Sequence, residues 1–73
     1  MGIVIFGTGK ACTWCVACCD YLEREGKGYT YKNVREDEGA LAELRKWGFS
    51  SVPQVFIDGV HIGGYTALLE VEL

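Results

Sequence analysis

The sequence predicts an α/β fold in the order β-α-β-α-β-β-α, a four-stranded mixed sheet with helices on both faces. Three observations point there. A continuous apolar run, Ile3-Val4-Ile5-Phe6, precedes a long stretch with no helix breaker. A second strand and helix follow the stop at Gly26-Lys27-Gly28. Two apolar runs are then joined by Asp58-Gly59, the strongest short signal for a β-hairpin. A strand–helix–strand unit implies a right-handed parallel crossover, and the hairpin adds two antiparallel strands.

The elements follow in order. Ile3–Phe6 is rich in β-branched residues and reads as a strand buried on both faces, ended by Gly7-Thr8-Gly9. Thr13 to Glu25 is the first helix, with Trp14, Cys18, Tyr21 and Leu22 at the spacing of a buried stripe. Tyr29 to Val34 alternates and is aromatic, as a second strand would be. Glu36-Asp37-Glu38 puts acid at the start of the second helix, where the dipole favours it; Leu41, Leu44 and Trp47 are its expected buried face and Gly48 its stop. Val52–Ile57 and Val60–Ile62 form the hairpin, and Gly63-Gly64 leads into a last helix from Tyr65 to about Glu72.

Length and charge narrow the function. The 73 residues are expected to form one domain, 1–73, with no linker or repeat. With 49% hydrophobic and 23% charged residues, disorder is not expected. A net charge of -3 argues against nucleic-acid binding, which needs a basic stripe. Met1–Phe6 lacks the charged start and length of a signal peptide, and Phe6 stands where a myristoylation signal wants Ser or Thr. No run nears the roughly 20 apolar residues of a membrane span. A reducing cytoplasm is the expected location, and there clustered cysteines mean redox catalysis or metal binding.

All four cysteines fall between Cys12 and Cys19, too close together to staple distant parts of a fold. Cys12-Thr13-Trp14-Cys15 follows a strand and opens a helix, which is the setting of a redox pair. There the unpaired N–H groups and the dipole favour an anion, and Lys10 adds positive charge. Both lower the Cys12 thiol from about 8.5, and at roughly 5 or 6 it would be mostly thiolate, the attacking form, at neutral pH. Cys15, one turn on and more buried, is the expected resolving thiol. Cys18 reads as core packing, and Cys19 as a partly exposed secondary thiol. Four cysteines on two turns of one helix do not converge tetrahedrally, so no metal site is expected. His61 reads as an exposed strand residue.

With Cys12-Thr13-Trp14-Cys15, Val52-Pro53 and Gly63-Gly64 in this order and spacing, the chain resembles the glutaredoxin family of the thioredoxin fold over nearly its whole length. The resemblance implies a thioredoxin-like (glutaredoxin-type) architecture and a cis Val52–Pro53 bond against Cys12. It also implies a glutathione site built from Lys10, Thr13, Trp14, Val52, Pro53, Gly64, Tyr65 and Thr66. The helical stripe would bury Trp14, whereas the resemblance would have it wall the groove. A cis Pro frees the N–H and C=O of Val52 to pair with an extended peptide, and a helix start at Tyr65-Thr66 suits a carboxylate. The implied activity is a monomeric cytoplasmic oxidoreductase that reduces protein disulfides and glutathione mixed disulfides, with glutathione as cosubstrate and ribonucleotide reductase among the conceivable substrates. Two departures from the family keep alternatives open. Thr13 replaces the usual Pro inside the motif, a change seen in members that hold a [2Fe–2S] cluster between two chains with glutathione as ligand. Ala67 replaces the usual Asp that pairs with the glutathione ammonium, which leaves room for thioredoxin reductase as the electron source.

Overall fold

In the computed structural model, which describes residues 2–73, the chain forms a four-stranded sheet ordered β2-β1-β3-β4. The elements are β1 (Ile3–Gly7), α1 (Thr13–Arg24), β2 (Thr30–Asn33), α2 (Glu38–Lys46), β3 (Gln54–Ile57), β4 (Val60–Gly63) and α3 (Tyr65–Leu69), with one turn of 3-10 helix at Gly9–Ala11. Met1 of the expected domain lies outside the described residues. Strands β1 and β2 are parallel, while β1–β3 and β3–β4 are antiparallel. Asp58 and Gly59 both have positive φ, 51° and 81°, the backbone a two-residue hairpin turn requires.

The sheet buries one apolar face on each side. On one side Ile3, Ile5 and Val55 pack against Cys18 and Leu22 of α1 and Leu68 of α3. On the other, Phe6 and Phe56 pack against Ala40 and Leu44 of α2 and against Val34. Strand β1 feeds both layers, because alternate side chains point to opposite faces. Both long helices stop at a glycine with φ of 69° (Gly26) or 85° (Gly48). The next residues, Lys27 and Phe49, bond back to the carbonyls of Leu22 and Leu44 at 2.9 and 3.2 Å. Asp37 caps α2, its carboxylate accepting the Gly39 and Ala40 N–H groups at 2.9 and 3.2 Å.

Several sequence expectations need correction. Trp47 is 54% exposed and not part of a buried face. It caps the end of α2, where its ring lies over the edge of Phe56 at 5.4 Å, and Ala40 shares the interior with Leu44 instead. Trp14 is 60% exposed, so Cys15 joins Cys18 and Leu22 as the buried stripe of α1, and Tyr21 is only half-buried. Strand β3 begins at Gln54 and not Val52, since Pro53 has no N–H to give the ladder. Strand β2 is one residue shorter at each end, and the last helix stops at Leu69. The β3–β4 register slips between Val55 and Phe56, which face Gly63 and His61.

Leu22 is fully buried against both β1 and α3. Replacing it with Ala is expected to cost about 2–5 kcal/mol, whereas Asp37→Ala, which removes only the α2 cap, costs about 1 kcal/mol. Urea unfolding followed by circular dichroism measures both, and equal effects would mean the core is not centred where the packing puts it.

Candidate active site

Strand β1 and helix α1 meet at the cysteine pair. The 3-10 turn hands the chain to Cys12, whose N–H donates to the Gly9 carbonyl at 3.1 Å. Cys12 is the N-cap of α1, and its sulfur accepts the Cys15 N–H at 3.2 Å. The position that Ser, Thr or Asp usually occupies is therefore held by a sulfur, and the first turn of the helix directs an N–H at it. Cys12 and Cys15 are joined as a disulfide with Cα atoms 5.2 Å apart. Cys15 is fully buried and Cys12 half-buried, so an attacking thiol meets Cys12 first.

The Val52–Pro53 peptide is cis, with Pro53 buried. Pro53, Val52, Gly64, Tyr65, Thr66 and Trp14 line one groove of about 370 Å³, completed by Ser51 and Gln54. Gly64 lies against the Pro53 carbonyl, which a Cβ on Gly64 would approach to 3.6 Å. The Trp14 and Tyr65 rings face each other at 5.5 Å, tilted by 33°, and join α1 to α3 across one wall. Of the two readings of Trp14, the groove is the one the structure takes. Thr13 and Lys10 do not line this groove.

A second cavity, of about 260 Å³, shares Ser51 and Val52 with the first. Its floor is Val34, Leu41, Leu44 and Phe49, and Thr8, Ser50 and Arg45 give it polar edges. Sequence reasoning did not single out Arg45. The only local signal was its place one residue before the end of a helix that leads into the Val52-Pro53 loop. Lys10 lines a third cavity, of about 210 Å³, behind the disulfide, together with Cys15, Cys19, Tyr29 and Tyr31.

The other thiols are muted. Burial pushes Cys18 up to about 11, helped by its neighbour Cys19. Burial also raises Cys19, the neighbouring Tyr29 hydroxyl offsets this in part, and the nearby charges of Glu23 and Asp20 add to the rise. The Tyr29 hydroxyl donates to Glu23 at 3.2 Å. Among the described residues no three His, Cys, Asp or Glu side chains gather as metal ligands, and with Cys15 and Cys18 buried, Cys12 is the motif's outward sulfur. His61 is exposed, stacks on Phe49 at 4.3 Å and bonds to Gln54 at 2.7 Å, away from the cysteines. No helix among the described residues is long and apolar enough to cross a membrane.

Comparison with known proteins agrees with this geometry. The glutaredoxin family model matches residues 3–62. Glutaredoxin 1 of Escherichia coli is 35% identical over 74 residues, covering 90% of this chain and 86% of that protein. A buckwheat glutaredoxin solved as its glutathione complex is 28% identical with a TM-score of 0.78; the match covers 93% of this chain but only 64% of that longer one. The glutaredoxin-like NrdH-redoxin of Escherichia coli, at 24% identity, shares the fold with a TM-score of 0.83 over 100% of this chain and 97% of its own. The chain belongs to the glutaredoxin family, the thioredoxin-fold enzymes that exchange thiols and disulfides through a cysteine pair, here Cys12 and Cys15.

Proposed function

We propose that this protein is a glutathione-dependent reductase of protein disulfides and glutathione mixed disulfides. The observation that carries the reading is the groove in which Trp14, Val52, cis Pro53, Gly64, Tyr65 and Thr66 meet. Glutathione is a short extended peptide with a carboxylate at each end and a thiol in the middle. Its cysteine pairs strand-like with the Val52 backbone, which brings its sulfur to Cys12. Its γ-glutamyl end lies over Gly64, with Tyr65 and Thr66 beneath it. The glycine carboxylate then runs past Ser51 into the second cavity, where Arg45 is the cation at its edge. Arg45 takes the role expected of Lys10, whose cavity lies behind the disulfide.

Chemistry starts at Cys12. In the dithiol form its thiolate, held by the first turn of α1, attacks the substrate sulfur and forms a mixed disulfide. Cys15 then attacks Cys12 and closes the disulfide seen here, or glutathione resolves the mixed disulfide directly. Two glutathione molecules restore the dithiol, and one glutathione disulfide leaves. The setting is a reducing cytoplasm. A second reading takes electrons from thioredoxin reductase. It is favoured by Ala67, which packs beneath Gly63 and offers no carboxylate to the glutathione ammonium.

A coupled assay separates the two, with glutathione and its reductase in one arm and thioredoxin reductase in the other. Turnover is expected in the first arm, and turnover in the second alone would defeat the glutathione reading. In the first arm Cys12→Ser abolishes activity, whereas Cys15→Ser keeps activity on glutathione mixed disulfides and loses it on protein disulfides.

Arg45→Gln is expected to raise KM for glutathione about twofold to fivefold, the range of an exposed charge contact, with kcat unchanged. Steady-state kinetics at constant ionic strength checks this, and an unaltered KM would remove Arg45 from the site.

Iodoacetamide alkylation of the reduced protein, followed by peptide mass spectrometry across pH, is expected to label Cys12 first, with a midpoint well below that of a free thiol. Cys19 follows only in alkali and Cys18 last, in keeping with their raised values. Labelling of Cys12 and Cys19 in parallel would show that the helix start does not activate Cys12.

A further inference from the structure

Opening the Cys12–Cys15 disulfide releases charge on its buried sulfur. A reducing thiolate attacks Cys12, the more exposed sulfur. The new sulfur–sulfur bond forms at Cys12, the old one breaks, and Cys15 leaves with the electron pair as a thiolate. Cys15 is fully buried on the core stripe of α1. An unpaired anion there is costly unless a hydrogen-bond donor meets it.

One donor is placed for this. The Tyr31 hydroxyl, from β2, accepts the Gly9 N–H at 2.8 Å. With its oxygen engaged as an acceptor, its own proton turns away from the loop. The hydroxyl and the Cys15 sulfur converge over Gly7, the last residue of β1. A Cβ on Gly7 would stand 2.9 Å from the sulfur and would collide with the Tyr31 oxygen. Only glycine leaves the two groups free to face each other. Tyr31 and Cys15 also line the same cavity of about 210 Å³ with Gly9 and Lys10, which provides a route for water and a nearby positive charge.

We infer that Tyr31 is a positioning residue for the resolving cysteine: its hydroxyl, fixed by Gly9 and facing Cys15 across Gly7, stabilises the Cys15 thiolate that leaves when the disulfide is reduced. The proton that finally neutralises this sulfur comes from water in the cavity behind it. This assignment rests on Cys12–Cys15 exchange and not on glutathione as the reductant.

The test therefore uses dithiothreitol. Oxidised wild type and Tyr31→Phe are mixed with it, quenched in acid at set times and counted for free thiols by mass. A loss of one hydrogen bond to a developing anion is expected to slow reduction about tenfold. Tyr31 also holds Gly9, so a second readout isolates the loop. In a Cys15→Ser background, the pH profile of Cys12 alkylation is measured with and without Tyr31→Phe. The expected result is that the profile stays where it was, since no Cys15 thiolate is involved. Unchanged reduction by dithiothreitol would overturn the inference. So would a shifted Cys12 profile that matched the slowing, which would leave Tyr31 as a brace for the loop alone. Gly7→Ala, which crowds the same point, is expected to slow reduction as well.

Discussion

The first turn of α1 has to do two things with one set of atoms. It must satisfy its own orphan N–H groups, and it must hold a sulfur that exchanges partners. Placing Cys12 at the N-cap does both, because the Cys15 N–H that needs an acceptor finds the Cys12 sulfur at 3.2 Å. Everything nearby follows from this contact. Strand β1 ends at Gly7 so that the chain can turn, a 3-10 turn closes on the Cys12 N–H, and the buried stripe of α1 fixes how deep Cys15 sits.

The disulfide thereby has a front and a back. The front is a groove shaped by the cis Val52–Pro53 peptide and by the Gly63-Gly64 turn into α3, walled by the Trp14–Tyr65 pair. The back is a small cavity between α1 and β2, lined by tyrosines, Lys10 and Cys19. In the proposed mechanism the substrate sulfur arrives from the front at Cys12, and the charge released on Cys15 is received at the back. A sheet buried on both faces makes this division possible, since one strand end separates the two sides.

Much of this was legible in the sequence, and what escaped did so for physical reasons. Every strand and helix could be placed because breakers stand at Gly26, Gly48 and Asp58-Gly59, and the parallel crossover followed from the element order. Trp14, Val52, Pro53, Gly64, Tyr65 and Thr66 were readable because they lie in short local motifs, whereas Ser51 and Gln54, which complete the groove, were not singled out. Trp47 was misplaced because helical spacing does not reveal that the last position is a cap whose side chain lies exposed against Phe56. Trp14 was ambiguous because Cys15, one residue later, also suits the buried stripe and is smaller. Tyr31 lies far along the chain from Gly9 and Cys15, and only the folding of β2 beside β1 brings them near; Arg45 is close in sequence to Ser51 and Val52, but no motif marks it as lining their cavity.

The sheet also ends itself. Its outer strands, β2 and β4, have four residues each. On β2, Lys32 is drawn toward Glu43 of α2 at 2.8 Å, so a charged pair sits beside that border. On β4 the slipped register opposite Val55 and Phe56 breaks the regular row of backbone groups. Short, charged and irregular borders are poor templates for another chain's strand. In the proposed reading, where a peptide pairs with the Val52 backbone, these unreceptive borders would confine strand addition to the groove beside the cis proline.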